Sequence, residues 1–211
     1  MATGGAMPVP TKKETPILRD FTTLALVLIP IGIGINYVGG LINKLLALPL
    51  FLDAIGTLVV GVIAGPWVGA VTGLIHNIVF GLTVDPVFLP YAIVNLAFGL
   101  AAGFMARAGW FKVWYKVFYA GLVIVAVAII TGVPIDVIFF GGVQQGAISA
   151  LAWSYLMAIG VGVWKAVFAV SIFRELADKF ISVFVTYFII KALPPTFMRK
   201  FPGNYLNYKK N

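Results

Sequence analysis

The sequence predicts an all-α integral membrane protein: a six-helix bundle with a long outer connector between the fifth and sixth helices. Three observations carry that expectation. First, 61% of the 211 residues are apolar and only 10% are charged, 15 Lys and Arg against 7 Asp and Glu. A soluble domain has about 25% charged and 45–50% apolar residues. Second, mean hydropathy is +1.03. Third, apolar runs near spanning length recur along the chain, divided by Gly, Pro and charge. This composition excludes a soluble globular domain, a disordered chain and a nucleic-acid-binding domain. Cysteine is absent, which removes disulfides, thiolate metal sites and Cys nucleophiles. With one His in the chain, no metal site is expected.

Residues 1–17 are polar and rich in Gly, Pro and Thr, without an apolar core of their own. They are expected to be a cytoplasmic tail rather than a signal peptide. The first span is Phe21–Gly40, and its Pro30, Gly32 and Gly34 allow a bend. Leu50–Leu82 is an apolar run of 33 residues. One helix of that length would reach roughly 50 Å, against a hydrocarbon core of about 30 Å. Gly65-Pro66 in its middle therefore divides it into two short helices, with Pro66 in a first turn. Asp85-Pro86 marks a turn, Phe88–Ala106 the fourth span, and Arg107–Lys116 a basic aromatic connector. Val117–Phe140 is the fifth span, with a break expected near Gly132–Pro134. Gly141–Phe173 is apolar but interrupted by polar residues and glycines, and is expected to be the outer connector. Leu176–Leu193 is the sixth span, stopped by Pro194-Pro195. The bundle domain is 18–195, and 196–211 is a basic cytoplasmic tail.

Charge placement supports this arrangement. With the N-terminus inside and 141–173 on the outer side, eleven Lys and Arg fall inside and four outside. Running 50–82 as one tilted helix and letting 141–173 span gives eight against six. The first arrangement obeys the positive-inside rule better. The formal charge of +8 is thus mainly an orientation signal, with contact to anionic lipid heads as a secondary reading.

Gly61, Gly65, Gly69 and Gly73 recur every fourth residue. Small residues at that spacing let helix backbones approach closely in lipid. Two uses fit: internal packing, or a docking face for another membrane subunit.

Polar groups inside a membrane are costly and therefore informative. In the six-span arrangement they gather toward the outer half: Asn36, Tyr37, Asp53, His76, Asn77, Asp85, Asn95, Asp136, Gln144 and Trp153. Aromatics including Phe51, Phe88 and Tyr91 accompany them. Structural roles are open to several: Asp53 suits a helix N-terminus, and His76 a buried core position. Together they describe an outward-facing, partly polar, aromatic-rimmed cavity of the kind that takes small molecules. A flat, partly polar ligand is expected, and a large anion is disfavoured because acids outnumber bases there. No Walker A motif, catalytic triad, HExxH or paired catalytic carboxylates occur at motif spacing, so no catalytic residue, cofactor or enzyme activity is expected.

The stretches Leu48–Thr57 and Ala64–Gly73, with Phe139–Gly142, Asp178–Val183 and Lys191–Pro194, resemble the substrate-binding S components of energy-coupling factor (ECF) vitamin transporters. The resemblance spans roughly residues 20–195. It implies a prokaryotic cell-membrane protein that captures a vitamin or related micronutrient from outside. It also implies partners: a membrane scaffold subunit and two cytoplasmic ATPases. The docking motif of two alanines four residues apart, usual in the first helix of that family, is absent from Leu24–Pro30. A stand-alone secondary carrier or channel is the rival reading.

Overall fold

In the computed structural model, which describes residues 17–46 and 50–201, every regular element is helical. The helices are α1 (Thr23–Leu46), α2 (Ile55–Ala64), α3 (Pro66–Thr83), α4 (Ala92–Arg107), α5 (Trp114–Phe140), α6 (Ala147–Ala158), α7 (Val163–Ala192) and the short α8 (Pro195–Met198). Leu48 and Pro49 of the resemblance, and most of both expected tails, lie outside the described residues.

The division at Gly65-Pro66 is present. Gly65 has φ +110°, open only to glycine, and Pro66 occupies the first turn of α3. The chain reverses there, so α3 folds back along α2. A Cβ at Gly69 would lie 2.5 Å from Gly61 Cα, and one at Gly99 would lie 2.2 Å from the Gly69 carbonyl carbon. Helices α2, α3 and α4 therefore pack backbone against backbone. Residues Gly56–Ala64 of α2 are all buried. That helix is the centre of the bundle, enclosed by α1, α3, α4 and α7.

Three helices, α1, α3 and α5, are long and apolar enough to cross a membrane, with hydropathies of 2.0, 1.2 and 2.6 over their best windows. Leu26, Val27, Ile31 and Val38 of α1, with Ile130 and Ile138 of α5, are more than half exposed, a surface suited to lipid. Helices α2 and α4 are apolar but short. Helix α7 has 30 residues, but Arg174, Glu175, Asp178 and Lys179 interrupt its middle.

Several expectations change. Helix α1 continues past Gly40 to Leu46, taking in Asn43 and Lys44. The break at Gly132–Pro134 does not occur: α5 runs through Pro134 to Phe140. Proline removes one backbone donor there, which a helix among neighbours tolerates. The segment 141–173 is not one connector. It holds α6 and the start of α7, which begins at Val163, thirteen residues before the expected Leu176. The fourth helix starts at Ala92 rather than Phe88, after a short 3-10 turn at Pro86–Phe88. The expected C-terminal tail opens as structure: Met198 and Phe201 are buried in the apolar core.

At the end of the bundle where α2 meets α3, buried Asp20 pairs with Arg107 from the end of α4. Burial raises the Asp20 carboxyl above its ordinary value, against the pull of Arg107 and a hydrogen bond from the Trp67 N–H. This clasp ties α4 to the N-terminus of α3, whose positive end suits a carboxylate.

Candidate functional site

The site follows from the shortness of α2. Ten residues cover about 15 Å, against about 27 Å for the eighteen of α3. Beyond the start of α2, therefore, the taller helices α3, α4, α5 and α7 surround space that no central helix fills. The loop 50–54 enters it, and a cavity remains between them. Its walls include Phe51, Asp53, Asn77, Phe88, Tyr91, Asn95, Phe98, Gln145, Arg174, Glu175 and Lys179. A second hollow adjoins it and shares Phe51, Phe88, Gln145 and Arg174.

Asp178, fully buried, fixes the loop. Its Oδ1 accepts the backbone N–H groups of Phe51 and Leu52, each at 3.0 Å. Lys179 pairs with its other oxygen. Leu52 has φ +55°, a left-handed conformation that a non-glycine residue rarely takes. The two bonds to Asp178 hold it there and leave Asp53 on the cavity wall. Gly39 makes room for the loop: a Cβ there would lie 2.2 Å from the Leu52 carbonyl oxygen.

An ion network on α7 and α5 continues the wall beside the loop. Arg174 donates to Glu175 Oε1 at 3.1 Å and to Gln144 Oε1 at 2.9 Å, and lies 3.7 Å from Asp136. Asp136 also accepts from the Tyr91 hydroxyl and, at 3.2 Å, from Gln144 Nε2. Lys179 lies 3.6 Å from Glu175 Oε2 and 4.8 Å from the Phe98 ring centroid. Two amides join α3 to α4: Asn95 donates to Asn77 Oδ1 at 2.7 Å, and Asn77 donates to the Phe88 carbonyl at 3.2 Å. Asn95 Nδ2 also reaches the Asp53 carbonyl at 3.3 Å.

Of the ten sequence-derived positions, Asp53, Asn77 and Asn95 line the cavity, and Asp136 and Gln144 brace its wall. The others fall elsewhere. Asn36 is buried between α1 and α2, accepting the N–H of Gly56 at 2.6 Å and of Thr57 at 3.3 Å while donating to Thr57 Oγ1 at 2.7 Å. It caps α2 from a neighbouring helix, a role its own residue 54, an alanine, does not fill. Tyr37 bridges to Thr83 at 3.2 Å and packs edge-on to Phe80. His76 is fully buried beside Phe80 on the side of α3 that packs on α1, with neither ring nitrogen bonded to protein. Asp85 caps the 3-10 turn through the Val87 N–H and pairs with Lys44 at 3.1 Å, on the adjoining hollow. Trp153 lies on α6, close to Gly142.

Gly61, Gly69 and Gly73 are taken up by contacts among α2, α3 and α4, and Gly65 by Asp20. Their small size serves packing within the chain.

Sequence reading left out Arg174, Glu175 and Lys179. A signal was present: four charged residues within the six positions 174–179, in a chain only 10% charged. Assigning 141–173 to a connector placed them at a helix entrance, where charge needs no explanation.

In the loop before α2, burial pushes the Asp53 carboxyl from 3.8 up to about 6. Lys179 opposes the shift, and the carboxylates of Asp178 and Glu175 add to it. No family model, no curated protein and no solved structure matches the chain.

Proposed function

We propose that this chain is a substrate-binding S component of an ECF-type importer: a membrane subunit that captures a small, flat, vitamin-like molecule. The observation that carries this reading is the asymmetry of the bundle. One end holds a cavity with polar groups at fixed positions. Toward the other end, α2, α3 and α4 meet through glycines with backbone in contact, and the Asp20–Arg107 pair clasps their termini. A cavity sealed below suits capture more than conduction.

In this reading six helices, α1 to α5 and α7, form the membrane bundle, with α2 shielded from lipid. The termini are cytoplasmic, as the Lys and Arg distribution favours, and the cavity opens outward in a prokaryotic cell membrane. Transport requires a scaffold subunit and two ATPases, since the chain carries no nucleotide-binding motif. Because the glycine ladder is occupied internally, the exposed apolar face of α1 is the better surface for the scaffold.

The test is native mass spectrometry of the gently extracted protein, with binding and liposome uptake assays. The expected result is a bound small molecule and no accumulation by the chain alone. Uptake into liposomes without partners would overturn the reading in favour of a carrier.

A further inference from the structure

Charge around the cavity does not balance. Asp53, Asp136, Glu175 and Asp178 face only Arg174 and Lys179. Both cations are committed: Lys179 to Asp178 and Glu175, Arg174 to Glu175, Asp136 and Gln144. The nearby Lys44 is held by Asp85. Among the described residues, no cation lies within 4.0 Å of the Asp53 carboxylate, which lines the cavity. An excess of buried negative charge is costly until a positive group joins it.

The aromatic walls divide in the same way. The rings of Phe51 and Phe98 already face cations, Arg174 at 5.0 Å and Lys179 at 4.8 Å. The ring contacts of Phe88 and Tyr91 are aromatic: Phe88 lies 4.6 Å from Phe80, and Tyr91 stacks on Phe140 at 5.8 Å. Both line the cavity with Asp53, so a flat cation there gains ring attraction and a carboxylate.

We propose that the cavity selects an organic cation, a flat ring system carrying one positive charge, with Asp53 as its counter-ion. A carboxylate or phosphate ligand would meet Asp53 and Glu175 while both nearby cations stayed engaged. A neutral ring would leave the charge excess in place.

The proposal rests on the capture reading, and its test separates the two. The full chain in detergent is titrated near neutral pH with thiamine and pyridoxamine as cations, riboflavin and pyridoxine as neutral rings, and biotin and nicotinate as anions. Binding is read by thermal shift and calorimetry on the natural protein, Asp53→Asn and Asp53→Glu. Expected is binding by a cation that weakens at least about thirtyfold in Asp53→Asn, the low end for losing one member of a buried charge pair, and recovers largely in Asp53→Glu. Cation binding unchanged in Asp53→Asn would overturn the proposal. So would binding confined to neutral or anionic compounds, which would leave capture standing. No binding by any of the six, with no co-purified molecule, would overturn capture and this proposal with it. Should Asp53→Asn fail to fold, the ranking on the natural protein and Asp53→Glu decides.

Discussion

Replacing Asp178 tests the account of the cavity most directly. In Asp178→Ala the N–H groups of Phe51 and Leu52 lose their common acceptor. Of its two ion pairs, Lys179 keeps the one to Glu175 at 3.6 Å. Each lost bond to a charged group is worth about 1.5–3 kcal/mol, and breaking a buried pair by removing one partner costs about 3–5 kcal/mol. These overlap because one carboxylate serves all three contacts, so a total of about 4 kcal/mol is expected. Leu52 has then no bond holding its positive φ, and the loop should open. Asp178→Asn keeps an oxygen for both N–H groups and loses only the charge, so it should cost about half as much. Equilibrium unfolding in mixed micelles measures the cost, and hydrogen exchange at residues 51 and 52 reports the loop. An alanine variant within about 0.5 kcal/mol of the natural protein, with both amides still protected, would refute the reasoning.

Other outcomes are expected from the same geometry. Gly99→Ala places a methyl within 2.4 Å of three backbone atoms of Gly69 and Ala70, so it should cost about 3 kcal/mol or more, whereas Gly34→Ala, with open space around it, should be neutral or slightly stabilising; thermal unfolding compares them. Asn36→Ala should lower stability by about 2 kcal/mol through the lost cap on α2 while ligand affinity, measured at a temperature where the variant is folded, stays within about threefold. Because burial pushes the Asp53 carboxyl up to about 6, affinity for a cationic ligand should be full above that pH and fall as pH drops through it, as Asp53 takes a proton; calorimetry across that range checks the sign. The free protein should show the opposite trend from this residue: between pH 3.8 and 6 the folded state holds a proton that the unfolded chain releases, so its contribution to stability declines as pH rises through that window.

The division at Gly65-Pro66 was legible because it depends on local chemistry: a glycine-only φ followed by a proline suited to a first turn. Asn77 and Asn95, which line the cavity, stood out because an amide inside an apolar helix requires a partner wherever it points. Asn36 stood out for the same reason. Its amide bonds the start of α2, away from the cavity, and nothing in sequence distinguishes that from a cavity-facing amide. The glycine ladder was ambiguous in kind, since close approach to a helix of the same chain and to another subunit demands the same residue type.

What the chain's composition and periodicity determined by themselves is the material: apolar helices, the division between α2 and α3, and a gathering of polar groups toward one end of the bundle. Those properties belong to single elements and are set by hydropathy, backbone dihedrals and the cost of placing charge in an apolar medium. The tertiary structure decided which polar groups face one another. Asp178 reaches back across 126 residues to hold Leu52, and Asp136 meets Tyr91 across 45. The cavity exists because the central helix is shorter than its neighbours, and its unbalanced charge appears only once α5, α7 and the loop before α2 meet above it. Such a sum over separated segments is a property of their packing.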